Sequence, residues 1–282
     1  MATITRPNPA ARRPQATPLL RGLFLSFMAF AILLPVIWIA SGAFKQLVDI
    51  FQLRILFTPT LDNFGAIADA PFLAYHKMAN SLIVALWAVI ITIPLALLAA
   101  YSLSRYRLPG ERLILFALLS TQFLPSVVVV LPFFLLFRDL GLLDTRTALV
   151  AIKVAMMMPF AVWMLKGFID GIPIEIEESA RVDGAASLRV IRDMVVPMAL
   201  PGIITTAIFC FIMAWNEFLF ALILTSRDAV TLPIALSMLT TDEGDFWHFL
   251  SAAGLLVMLP MIGLALLIQK HFTGGSTAGS SR

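Results

Sequence analysis

The 282-residue sequence predicts an all-α integral membrane protein of about six transmembrane helices. Hydrophobic residues make up 60% of the chain and charged residues only 13%, too few polar side chains to cover the core of a water-soluble domain. The apolar residues also come in blocks of about twenty, and at 1.5 Å per residue such a helix crosses about 30 Å of hydrocarbon. Short alternating segments, the mark of a membrane β-barrel, do not occur.

Taken in order, residues 1–19 carry Pro7, Pro9, Pro14 and Pro18 among Ala, Thr and Arg. That composition buries too little apolar surface to fold and reads as a disordered cytoplasmic tail. A membrane domain then spans 20–272, followed by a cytoplasmic C-terminal tail, 273–282. The first apolar run, Leu23 to Phe44, is longer than a signal-peptide core and lacks a small-residue cleavage site, so it is expected to remain as a span. Later spans are expected over 82–103, 113–137, 146–166, 198–224 and 250–269. Six spans put both termini on one side of the membrane. Arg6, Arg12, Arg13, Arg21, Arg105, Arg107, Arg112, Lys166, Arg181, Arg189, Arg192, Lys270 and Arg282 fall on that side, against a sparser set opposite, so the positive-inside rule makes it cytoplasmic. The net charge of +3 is accounted for by these loop residues, and no nucleic-acid partner is implied. Prolines 35, 94, 125, 132, 159, 201 and 260 within spans suit a bundle that bends around a pathway.

The cytoplasmic segment at about 167–197 is the most informative loop. The stretch Gly171–Ala186 reads as a short helix: Pro173 suits the first turn, and Glu175, Glu177 and Glu178 sit near the positive end of the helix dipole. Gly184 is expected to end it in a left-handed conformation. An acidic first half disfavours lying on the anionic inner leaflet, so a protein partner fits better.

The motif Glu178-Ser179-Ala180, then Asp183-Gly184-Ala185, then Val196-Pro197 and Leu200-Pro201, resembles the Glu-Ala-Ala loop of permease subunits of binding-protein-dependent ABC importers. Ser179 stands where that family usually has alanine. The stretches 99–110 and Leu140-Gly141-Leu142-Leu143-Asp144-Thr145, the Trp215-Asn216-Glu217-Phe218 run and the tail 275–279 are similar to the carbohydrate-uptake, MalG-like branch. The resemblance implies a type I importer permease (MetI-like) fold in a bacterial inner membrane. It implies a second homologous permease, two ABC ATPase subunits, an extracytoplasmic solute-binding protein and a sugar or sugar-like solute as partners. Pro173, Glu177, Glu178, Ser179, Ala180, Asp183, Gly184 and Ala185 would then form the joint with the ATPase. No GxxxxGK[ST] phosphate loop occurs, so ATP and Mg are expected in the partner subunits and no cofactor in this chain.

Only Lys153 and Glu217 are ionisable deep within expected spans, which marks them as candidates for function. Two roles are open, an ion pair fixing two helices and contact with solute. Trp215, Asn216 and Met157 join them as pathway candidates. His76, His248 and His271 lie in three separate loops or ends, so no metal site can be argued from them, and neither HExxH nor GxSxG occurs. A non-catalytic transport subunit is therefore expected; a secondary transporter would favour internal inverted repeats, and none is evident.

Overall fold

The computed structural model describes residues 18–69, 71–106, 109–241 and 244–276. Most of the expected N-terminal tail and the last residues of the C-terminal one lie outside these, as do Arg107, Asp242 and Glu243. Among the described residues five helices are long and apolar enough to cross a membrane, or six if one sharply bent pair counts as a single span.

Helix α1 (Pro18–Gly42) begins inside the expected tail, with Pro18 at a first helical position where its missing N–H has no intrahelical partner to lose. Two short helices follow, α2 (Leu47–Phe51) and α3 (Asp62–Ala68). The buried Asn63 amide holds the turn after α1 by donating to the carbonyls of Ala43 and Lys45, each at 2.9 Å. Helix α4 (Ala74–Arg105) and α7 (Arg146–Asp170) are the central spans. Ala85, Ala88, Ala96 and Ala100 from one, and Ala161 from the other, lie in one core cluster with Leu165 and Ile169. Small side chains let two helix backbones approach closely where lipid gives no hydrophobic drive to associate.

The third expected span is broken. Helix α5 (Glu111–Ser120), a 3₁₀ turn (Thr121–Phe123) and α6 (Ser126–Asp139) meet at a 95° bend. The cause is local: Pro125 disfavours helical backbone at the preceding residue, and Leu124 sits at φ −71°, ψ 122°. At Pro35, Pro94, Pro132, Pro159, Pro201 and Pro260 the helices run on.

Beyond α7 come α8 (Ile174–Val182) and α9 (Ser187–Val190), then a π turn over Ile191–Val195 leading into α10 (Val196–Asn216). Gly202 of α10 lies against Phe168 of α7 so closely that a Cβ there would overlap the ring. The fifth expected span stops early: at Glu217 the backbone turns extended (φ −71°, ψ 121°), and a separate α11 (Leu219–Leu224) follows. Helix α12 (Leu232–Ser237) and a short antiparallel ladder, β1 (Thr240–Thr241) with β2 (Gly244–Asp245), lead into α13. Helix α13 (Trp247–Ser276) extends past residue 272, the expected end of the membrane domain.

Candidate functional site

Helix α8 is held by one carboxylate. Glu177, in its first turn, is 1% exposed. It accepts from Arg105 Nε at 2.6 Å and from the Tyr101 hydroxyl at 2.8 Å, both from the end of α4. The same guanidinium donates through Nη2 to the carbonyls of Ile169 (3.0 Å) and Ile172 (2.9 Å). A cation there also complements the negative end of the α7 dipole. Arg181 donates to Tyr101 Oη at 2.9 Å, and that bond raises the Arg181 pKa above its ordinary value. Beside this latch, Ser104 donates to Asp170 at 2.5 Å, and Lys166 bridges Asp170 and Glu111. The ends of α4, α5 and α7 are thereby joined with the root of α8.

The other end of α8 closes as a Schellman motif. Ala185 N donates to Ala180 O and Gly184 N to Arg181 O, each at 3.0 Å. Gly184 sits at φ +83°, a conformation that favours glycine. Of the residues assigned to the ATPase joint, Glu177 and Ala180 are buried against the protein itself, and Ala185 is half-buried. Pro173, Glu178, Ser179, Asp183 and Gly184 are exposed, together with Val182 at 87% and Leu188 at 70%. Pro173 is the residue just before the helix rather than in its first turn.

Of the pathway candidates, Lys153, Glu217 and Met157 come together along a groove of about 660 Å³, walled also by Gln122 and Ser126 at the Pro125 bend. Lys153 Nζ donates to Glu217 Oε2 at 3.0 Å and to Ala214 O at 2.8 Å, so the two ionisable groups do pair. Glu217 is not within a helix: its Oε1 accepts the Phe220 N–H at 2.7 Å and so holds the start of α11 across the break. Gln122 Nε2 bridges to Met156 O at 2.8 Å. Trp215 is buried and donates to Val257 O at 3.2 Å, while Asn216 is exposed and bonds back to Ile212 O. Neither lines the groove.

A clasp at the opposite end of the bundle went unassigned in the sequence. Asp144, at φ +56°, accepts backbone N–H bonds from Ser226, Arg227, Asp228 and Ala229 at 3.0–3.1 Å and the Ser226 hydroxyl at 3.2 Å. Partial burial alone would raise its pKa; the N–H bonds from Asp228, Ala229, Ser226 and Arg227 overcome that and hold the carboxyl at about 2, against 3.8. Nearby, Asn80 Nδ2 donates to Asp228 O and Val230 O while its Oδ1 accepts from Arg146. The available signal was Asp144 itself, an acidic residue in a turn directly before Thr145, whose hydroxyl accepts the Ala148 N–H and caps α7. No cluster of three metal-binding side chains exists among the described residues.

Residues 92–275 match the model of the family described as binding-protein-dependent transport system inner membrane component. The chain is 35% identical to the probable ABC transporter permease protein y4oR of Sinorhizobium fredii, over 93% of this chain and 95% of that protein. It is 32% identical to the trehalose transport system permease protein SugB of Mycobacterium tuberculosis, over 88% and 92%. Its fold is similar to a chain of a bacterial ABC transporter involved in import of the acidic polysaccharide alginate, with a TM-score of 0.77 at 24% identity, covering 92% of this chain and all of that one.

Proposed function

Because the chain belongs to the family of binding-protein-dependent transport system inner membrane components, and is a multi-pass permease subunit, we propose that it takes up a saccharide or sugar-like solute by alternating access, powered by partner ATPases. Its relatives are transport permeases, not enzymes. The trehalose named for one relative and the alginate named for the structural neighbour favour a saccharide over other cargo. The partners in this reading are a second homologous permease, two ATPase subunits that hold ATP and Mg, and an extracytoplasmic binding protein. Both termini and α8 are then cytoplasmic, in keeping with the distribution of Lys and Arg.

The observation that carries the coupling role is the two-sided character of α8. Its inner side is tied through Glu177 to Arg105 and Tyr101 at 2.6–2.8 Å, while Glu178, Ser179 and Val182 are exposed. Force applied to the exposed side by a closing ATPase passes through Arg105 to the ends of α4 and α7. Those two spans form the core against which α10 packs, and α7 carries Lys153 and Met157 into the groove. A displacement of α8 would therefore reshape the groove without any bond being made to the solute.

The test is co-purification from membranes with candidate ATPase subunits, comparing the native chain with Glu178→Lys and Gly184→Trp. Expected is ATPase co-elution with the native chain and its loss with both variants, at unchanged thermal unfolding of the spans. Solute transport by the purified chain alone would overturn the reading.

A further inference from the structure

A second, far smaller cavity adjoins the Lys153–Glu217 pair. Its polar wall is Ser81 of α4, Lys153 of α7, Glu217 at the helix break and Thr231 just before α12. It leaves about 10 Å³ open to a water molecule's centre, which is on the order of the space one water needs and far too little for a solute.

The groups facing it are incompletely bonded. Thr231 is 4% exposed, and among the described residues its Oγ1 meets no hydrogen-bond partner. Lys153 is 3% exposed and uses two of its three N–H donors, on Ala214 O and Glu217 Oε2. Ser81, 7% exposed, accepts the Leu232 N–H at 2.9 Å, which occupies one side of its hydroxyl. Each Glu217 oxygen accepts one bond, from Phe220 N–H or from Lys153, and has capacity for another. Residues that carry unused donors and acceptors thus line a space of one-water size. The Lys153 ammonium argues against a cation there.

We propose that this cavity binds a single ordered water, which accepts from Lys153 Nζ and donates to Thr231 Oγ1 and to the Glu217 carboxylate. The water joins the segment before α12 to the ion pair beside the groove, and it completes the bonding of an ammonium buried among helices. Buried waters of this kind make about three hydrogen bonds and belong to the fold.

The proposal is independent of the identity of the transported solute. Its direct test is a density map of the full-length chain in its assembly, at a resolution where ordered waters are visible. A peak within hydrogen-bond distance of Thr231 Oγ1 and Lys153 Nζ is expected; a well-ordered site without one overturns the proposal. The second measurement is thermal unfolding of Thr231→Val and Thr231→Ser. If the water is bound, Thr231→Ser stays close to the native midpoint and Thr231→Val falls by about 2–4 °C, because the water loses a partner. If the cavity is dry, the hydroxyl is an unmet polar group, and Thr231→Val raises the midpoint instead.

Discussion

Replacing Arg105 by Gln tests how α8 is fixed. The substitution removes a guanidinium whose side chain is 7% exposed from a carboxylate that is 1% exposed. Glu177 would keep only the Tyr101 hydroxyl at 2.8 Å and the more distant Arg181 at 3.9 Å, and the carbonyls of Ile169 and Ile172 would lose their side-chain donor. Breaking a buried pair by removing one partner costs about 3–5 kcal/mol, most of it from the stranded charge. The lower figure already shifts the docked-to-undocked ratio of α8 by roughly 10²-fold, at 1.36 kcal/mol per factor of ten. Hydrogen exchange followed by mass spectrometry on the chain in lipid nanodiscs reads this directly. Amides of 174–184 should exchange about 10²-fold faster, while those of α4 and α7 between Ala85 and Leu165 stay protected. The double variant Arg105→Met with Glu177→Met removes both charges together and should recover most of the protection. Unchanged exchange over 174–184 in Arg105→Gln would refute the latch, whatever happened to transport.

Two further outcomes are expected. Asp144→Asn should loosen the clasp at the start of α7 at neutral pH, seen as faster amide exchange over 226–229. Because the folded-state pKa of about 2 lies below the ordinary 3.8, the native carboxylate's contribution is present above about 3.8 and is lost as pH falls through 2; native and variant should converge there. Gly202→Ala places a methyl group on the Phe168 ring and should destabilise by about 1–3 kcal/mol in thermal unfolding, with Phe168→Leu restoring part of the loss in the double variant.

The spans were legible because an apolar block of span length has few alternatives to a helix in lipid, and α1, α4, α7 and α13 follow such blocks. The bend at Leu124–Pro125 was not, since the sequence offered seven span prolines with equal claims. What distinguishes Pro125 is the polar pair Thr121-Gln122 just before it, at the groove. The end of α10 was hidden for a related reason. Neither glycine nor proline marks Glu217, and the break is sustained by its own side chain accepting the Phe220 N–H. Within the α8 segment, the dipole argument placed Glu175, Glu177 and Glu178 together in the first half of the helix, and the family resemblance turned Glu177 toward a partner protein. Its true neighbour, Arg105, is 72 positions earlier in the chain, and local periodicity carries no information about a contact of that span. The Lys153–Glu217 pair could be suspected because two unmatched charges in hydrocarbon are costly; Asp144 offered only its place in a turn before the α7 cap, because its partners are backbone groups that no side-chain pattern reveals.

The position of α1 bears on how the molecule is made. None of the most apolar stretch of α1 is buried against the rest of the chain. Its close approaches are to α13, with Gly42 beside Ser251 and Ile39 beside Gly254. The ribosome therefore completes α1 before α4, α7 and α10 and its packing partner α13 after them. Through most of synthesis α1 lacks its packing partner within this chain, while α4, α7 and α10 can assemble without it. The contact of Gly42 with Ser251 leaves no room for a side chain at residue 42, so α1 must still fit α13 when that helix arrives, and the 92–275 region that matches the family model begins beyond it.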